Sequence, residues 1–231
     1  MDFGGFQKIT LVDYPQKVAC TVFTLGCNFR CPYCQNPELV LENLIQQQPR
    51  ISEKEVIDFL KERKGLIEGI CITGGEPLIH YQTIKKFFKK VKEIGYFIKL
   101  DHNGSFPERL KELIKEKLVD YVALDVKAPK EKYFLLANIR NIEKNIDQSI
   151  KILKKEKIEY EFRTTLAPFL TKNDIMKIVD WIKPARAYYL QKFQSRKVLD
   201  QNLLGEKGLG EEEVKNIIKE IKDFFKICEL R

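Results

Sequence analysis

From Ile51 onward the chain alternates short apolar runs with longer segments of helical period, and this alternation restricts the fold more than any other feature. Ile70–Thr73, Tyr96–Asp101, Tyr121–Val126, Glu159–Leu166 and Ala187–Phe193 read as strands. Between and after them, apolar residues recur three and four apart. Val56, Ile57 and Leu60 form the first such stripe, behind a capping box at Ser52-x-x-Glu55. The others are Ile84 to Ile94, Leu110 to Ile114, Ile142 to Leu153, Ile175 to Ile182 (opened by Thr171-x-x-Asp174) and Val214 to Phe224. Upstream, Lys8–Asp13 and Val18–Leu25 are β-rich and separated by a turn at Pro15, while Leu39–Arg50 reads as a polar connector. Counting the unit that Val18–Leu25 opens, there are six β-then-α units. Strands and helices in alternation imply a parallel sheet covered by helices. Six units fall short of the eight of a closed barrel, so an α/β fold with an open partial (β/α)6 barrel is expected, as one domain over residues 1–231.

Composition excludes other classes. Hydrophobic residues at 44% and charged residues at 32% suit a globular chain and not a disordered one. No apolar run approaches the roughly 20 residues of a membrane span. Met1-Asp2-Phe3-Gly4-Gly5 lacks the basic start and apolar core of a signal peptide, so a cytoplasmic location without membrane contact is expected. Six cysteines there read as ligands or core thiols, not disulfides. The net charge of +8 suits an anionic or acidic partner, although many lysines fall on amphipathic helices and read as solvated faces.

Where Val18–Leu25 ends, the chain enters Gly26-Cys27-Asn28-Phe29-Arg30-Cys31-Pro32-Tyr33-Cys34-Gln35-Asn36-Pro37. Three thiolates spaced C-x3-C-x2-C on one loop suit zinc or an iron–sulfur cluster. With no fourth cysteine beside them, one metal position stays open, and open positions carry chemistry. The placement is apt, because α/β barrels gather their active sites at the C-terminal ends of strands.

This spacing, with the aromatic Tyr33 before the last cysteine, resembles the cluster loop of the radical S-adenosylmethionine (SAM) enzymes. The wider run from Asp13-Tyr14-Pro15 to Cys34-x-Asn-Pro37 resembles the glycyl-radical-enzyme activating proteins, most of all the activators of anaerobic ribonucleoside-triphosphate reductase. The resemblance implies that Cys27, Cys31 and Cys34 hold a [4Fe-4S] cluster and that SAM chelates its fourth iron. One electron then cleaves SAM to a 5′-deoxyadenosyl radical, which takes a hydrogen from a glycine of a partner enzyme. A flavodoxin or ferredoxin is the implied electron donor, steered by basic residues such as Lys127, Lys130 and Lys132.

Further residues follow from the same resemblance. Gly74-Gly75-Glu76-Pro77 looks like the element that binds the SAM amino group; taken alone it is a tight turn whose carboxylate can receive an ammonium. Asp101-His102-Asn103-Gly104 resembles an Asp-Thr-Asn-Gly element, and Asp125-Val126-Lys127 an Asp-x-Lys element. Asp101, Asn103 and Asp125 are thereby expected near SAM, with Lys127 at the reaction site. In the family these acids can hold a monovalent cation, a role that His102 in place of Thr puts in question. Arg163 points either inward to the SAM carboxylate or into a structural salt bridge. Gln35 stands where the family commonly has His. Cys20 and Cys71 read as small core residues.

Two other functions compete. A radical SAM enzyme acting on a small molecule, as the 7-carboxy-7-deazaguanine synthases do, shares the rim motifs. A zinc-binding or nucleic-acid-binding module would use the basic surface, but no motif of interleaved aromatics supports it, and no nucleic-acid partner is expected.

Overall fold

The computed structural model describes all 231 residues. Its elements run β1 (Asp2–Phe3), β2 (Gly5–Thr10), β3 (Ala19–Thr24), α1 (Glu42–Ile45), β4 (Ile51–Ser52), α2 (Glu53–Glu62), β5 (Gly69–Gly74) and α3 (Tyr81–Ile94). They continue with β6 (Phe97–His102), α4 (Pro107–Lys115), β7 (Tyr121–Asp125), α5 (Tyr133–Ala137) and α6 (Glu143–Lys155). The chain closes with β8 (Glu159–Thr165), α7 (Lys172–Ile182), β9 (Ala185–Gln191), α8 (Glu211–Ile221) and β10 (Phe225–Leu230). No helix is long and apolar enough to cross a membrane.

Eight strands form one sheet in the order β10-β9-β8-β7-β6-β5-β3-β2. Every pair from β3 to β10 is parallel, and only β2 joins antiparallel, along β3. The edges β2 and β10 do not pair with each other, so the sheet is open. Yet Phe23, Thr73, Asp101, Asp125, Arg163 and Gln191, from the six strands β3 and β5 to β9, line a single cavity. In a flat sheet the first and last of these strands would stand about 24 Å apart, at about 4.8 Å per neighbour. The sheet therefore curls around its C-terminal ends as the expected open partial (β/α)6 barrel.

Period-two alternation sorts the strand residues. Ile98 and Leu100 of β6 are fully buried in the apolar core shared with the helices, whereas Lys99 and Asp101 share the other face and pair with each other. The helices supply the matching layer. Ile84, Phe87, Phe88 and Val91 of α3 lose all exposure, each contributing about 1.5–3 kcal/mol. Gly95, at φ 100°, then ends this helix in a left-handed cap. The Thr171–Asp174 capping box on α7 is complete, while on α2 the Ser52 hydroxyl accepts from Glu55 N.

Four local expectations need correction. The strand expected at Lys8–Asp13 is Gly5–Thr10, because the Thr10 hydroxyl accepts from Val12 N and Asp13 N and closes the turn. Leu39–Arg50 contains the short α1, and α5 precedes the helix read from Ile142. Ala187–Phe193 is not the last strand: β9 is Ala185–Gln191, and β10 follows α8. Phe224, read as part of the closing helical stripe, lies in a half-exposed turn between them. As an edge strand, β10 exposes Lys226 and Ile227 and so lacks the continuous apolar run of a central strand.

Candidate active site

The cavity at the strand ends has a volume of 410 Å³. The chain reaches it from β3 through Gly26, at φ 83°. Cys27, Cys31 and Cys34 all line it. Their loop is tied on both sides: Gly26 N donates to Leu39 O at 2.7 Å, and Arg30 N donates to Ala137 O of α5 at 3.0 Å. The Arg30 guanidinium turns back to the carbonyls of Cys27 and Phe29 at 2.5 and 2.9 Å.

Burial pushes the Cys27 thiol up to about 11 and that of Cys31 to about 12, and raises Cys34 as well. Ligation here therefore releases protons. No three His, Cys, Asp or Glu side chains come close enough together to hold a single metal ion. A tetrahedral zinc site would need sulfurs about 3.8 Å apart, from a Zn–S bond of about 2.3 Å. Three soft donors spread around a cavity fit a larger iron–sulfur group instead. The wall also carries two unpartnered buried polar atoms, the Tyr33 hydroxyl and His102 Nε2, of the kind a bound group satisfies.

Gly74 and Gly75 line the cavity, but a tighter constraint explains both glycines. A Cβ on Gly75 would stand 1.9 Å from Gly26 O, and one on Gly74, at φ 110°, 2.4 Å from Thr24 N. The turn lies directly on the end of β3, with Gly75 N and Glu76 N donating to Thr24 O and Gly26 O. Glu76 does not line the cavity as its motif implied. It is fully buried, accepting from Leu78 N at 2.9 Å and Asn103 N at 2.7 Å. Burial raises its carboxyl to about 7, against the pull of those two bonds. In this structure Glu76 clamps the β5 and β6 loops together.

Arg163 points inward. Its Nη1 lies 2.8 Å from Asp101 Oδ2 and its Nε 2.7 Å from Asp125 Oδ1. Lys127 Nζ meets Asp125 Oδ2 at 2.9 Å, and the fully buried Lys99 ammonium meets Asp101 Oδ1. Burial opposes both carboxylates, but the Arg163 charge, with Lys99 on one and Lys127 on the other, outweighs it and holds them below the usual range. Both alternatives read for Arg163 meet here: it makes salt bridges, and it lines the cavity.

The predicted Tyr33, Gly74, Gly75, Asp101, Asn103, Asp125, Lys127 and Arg163 thus share one cavity with the three cysteines, and Glu76 stands behind its wall. Lys99 is a site residue that the sequence motifs do not name, and His102 enters them only as the replacement of a Thr. Lys99 carried a signal, since it shares a strand face with Asp101 two residues on. Cys71 is buried as expected, but its sulfur lies 3.9 Å from Lys99 Nζ in the polar interior. The lysines read as steering charges are largely paired. Lys127 is in the cavity with Asp125, Lys132 lies 2.7 Å from Asp174 and Lys130 4.0 Å from Asp147.

Comparison with known proteins shows the family of the chain. The sequence profile of the radical SAM superfamily matches residues 21–182. A Methanocaldococcus jannaschii protein, provisionally named a glycyl-radical enzyme activating enzyme, is 34% identical over 86% of this chain and 82% of its own length. The pyruvate formate-lyase-activating enzyme of Clostridium pasteurianum is 28% identical over 79% of this chain and 76% of its own. A 7-carboxy-7-deazaguanine synthase of Methanopyrus kandleri is 32% identical, but over 45% of this chain and 47% of its own. Among solved structures, Streptococcus suis SuiB bound to its precursor peptide SuiA superposes on 90% of this chain with a TM-score of 0.65 at 13% identity; the chain spans 47% of SuiB. Three cavity cysteines, a parallel curled sheet and matches of this length have one explanation: the chain belongs to the radical SAM superfamily of enzymes, in the group of glycyl-radical enzyme activating enzymes.

Proposed function

We propose that this protein is an activase that installs a glycyl radical on a partner enzyme resembling anaerobic ribonucleotide reductase, using a [4Fe-4S] cluster and SAM. The observation that carries it is the gathering of three thiols, a bare Gly74–Gly75 turn and the Asp101–Arg163–Asp125–Lys127 network around one cavity. When bound, a reduced cluster and SAM would together supply a 5′-deoxyadenosyl radical able to take a Cα hydrogen, the one electron being spent in releasing methionine.

The chain's own residues do the rest. Cys27, Cys31 and Cys34 lose their protons to hold the cluster and leave one position to the ligand. Lys127 and Arg163 present cationic donors suited to a carboxylate, and Asp101 and Asp125 hold those donors in fixed positions. Phe23, Phe29, Tyr33 and Val40 line the cavity with apolar surface, which limits water near a reactive radical.

The test is anaerobic reconstitution with iron and sulfide, followed by SAM cleavage with and without a glycyl-radical enzyme from the same cell. A glycyl doublet in the electron paramagnetic resonance spectrum of the partner is the expected result. SAM cleavage that leaves no radical on the partner, but couples to turnover of a small molecule, would favour a reading like that of the deazaguanine synthases, whose similarity covers less of the chain. No SAM cleavage at all would end both readings.

A further inference from the structure

Three side chains form a closed hydrogen-bonded ring beside the first cysteine. Asn103 Nδ2 donates to Asn28 Oδ1 at 2.9 Å, Asn28 Nδ2 donates to Ser105 Oγ at 3.0 Å, and Ser105 Oγ donates to Asn103 Oδ1 at 2.5 Å. Every member gives and receives, so each bond polarises the next. Asn103 and Ser105 are nearly closed to solvent. The ring is anchored from outside as well: Asn145 Nδ2 donates to Ser105 O at 2.8 Å, and Asn103 N donates to Glu76. It joins the loop after β6 to the residue that follows Cys27.

The orientation of the Asn103 amide is fixed by its neighbours. Ser105 N is an obligate donor and lies 3.0 Å from Oδ1, so the oxygen faces Ser105 and the nitrogen faces the cysteine loop. One N–H goes to Asn28. Nδ2 also lies 3.9 Å from Cys27 Sγ, which leaves the second N–H for that sulfur. Phe29 N donates to the same sulfur at 3.4 Å. Of the three cavity cysteines, only Cys27 takes a side-chain hydrogen bond. The amide's two donors and two acceptor sites are then all used. Little of it remains to contact SAM, the role its motif implied.

We propose that Asn103 is a positioning residue for the cluster, locked by Asn28 and Ser105 so that its amide N–H bonds the Cys27 thiolate and eases reduction. The inference rests on the reading that Cys27 ligates an iron–sulfur cluster. Reduction adds negative charge that the ligand sulfurs share, and a hydrogen bond to sulfur stabilises the charge-rich state. A ring closed on both amides keeps the donor in place before any ligand arrives.

The test is a redox titration of the reconstituted protein without SAM, followed by electron paramagnetic resonance, in which any SAM contact of Asn103 plays no part. Asn103→Ala should keep the wild-type iron content. At a fixed potential near the midpoint, its ratio of reduced to oxidised cluster should fall about threefold or more. Ser105→Ala, which leaves the Asn103 side chain in place, should shift the same way, and Ser105→Thr, which restores a hydroxyl, should return towards wild type. Asn103→Ala that titrates like wild type overturns the sulfur bond. Ser105→Ala and Ser105→Thr that titrate alike overturn the ring as its lock. Should Asn103→Ala assemble no iron, the Ser105 pair decides the question. A wild-type protein that takes up no iron overturns the cluster reading and this inference with it. A wild-type cluster with unshifted variants overturns this inference alone.

Discussion

Arg163 Nη1 and Asp101 Oδ2 meet at 2.8 Å although a whole strand, β7, separates β8 from β6. In a flat sheet strands two apart stand about 9.6 Å from each other. Inward curvature and a long side chain close that gap, and the same guanidinium takes Asp125 of the intervening strand. The interior of this barrel is thus crossed by charge, while its helix-facing side is apolar.

Removing the bridge should be costly. Arg163→Ala takes a buried cation from Asp101, Asp125 and, at 3.8 Å, Glu161, and because Lys99, Lys127 and Arg231 remain, the loss should be about 3 kcal/mol. Urea unfolding of the apoprotein measures it. Arg163→Lys should recover part of that stability but not the two-carboxylate geometry. An Arg163→Ala protein as stable as wild type would mean that the bridge contributes nothing net.

The same network bears on the monovalent cation that the resemblance implies for these acids. Asp101 and Asp125 already face three protein cations: Arg163, Lys99 and Lys127. SAM affinity and cleavage should therefore be unchanged when potassium and sodium are replaced by choline at constant ionic strength. A requirement for one small cation would show that the ligand rearranges these pairs.

Glu76 should act through stability. Glu76→Ala leaves the N–H groups of Leu78 and Asn103 without acceptors, at about 1–3 kcal/mol each. Calorimetry of the apoprotein and SAM binding by the reconstituted protein separate two outcomes. Weaker SAM binding at unchanged stability would restore the direct contact with the SAM amino group. The neighbouring Gly75→Ala should fail more completely, since its Cβ would overlap the Gly26 carbonyl oxygen.

His102 gives the fold an acid sensitivity. Burial holds its imidazole down to about 4, and its Nδ1 accepts from Gly104 N at 3.1 Å. The folded state binds this proton less readily than the unfolded one. Its contribution is therefore present above pH ~6.5 and is lost as pH falls through about 4. The loss amounts to about 3 kcal/mol across that window. Replacement by Asn, which offers a carbonyl to Gly104, should flatten the slope of apoprotein stability between pH 6.5 and 4. A slope unchanged by the substitution would assign the acid sensitivity elsewhere.

Cysteine replacement should divide the six thiols. Alanine at Cys27, Cys31 or Cys34 should abolish the brown chromophore and bound iron. Alanine at Cys20 or Cys71, both fully buried in strands, or at Cys228 on β10 should retain them. If Cys228 proves as necessary as the cavity three, the open-position argument is wrong.

By itself the sequence determined what repeats locally. The alternation of periods two and 3.6 laid out the parallel units, and C-x3-C-x2-C marked the loop whose three cysteines line the cavity, because spacing along a chain constrains side chains on one short segment. The edge strand β10 escaped notice because its exposed residues break the apolar run on which strand reading depends. Only the tertiary structure decided that Arg163 points inward and spans two neighbouring strands, since alternation fixes which residues share a face but not which face is interior. It alone turned Glu76 from a cavity carboxylate into a clamp, and closed Asn28, Asn103 and Ser105 into one ring. Those contacts join residues 27 to 77 positions apart, and such distances are set by how the sheet curls.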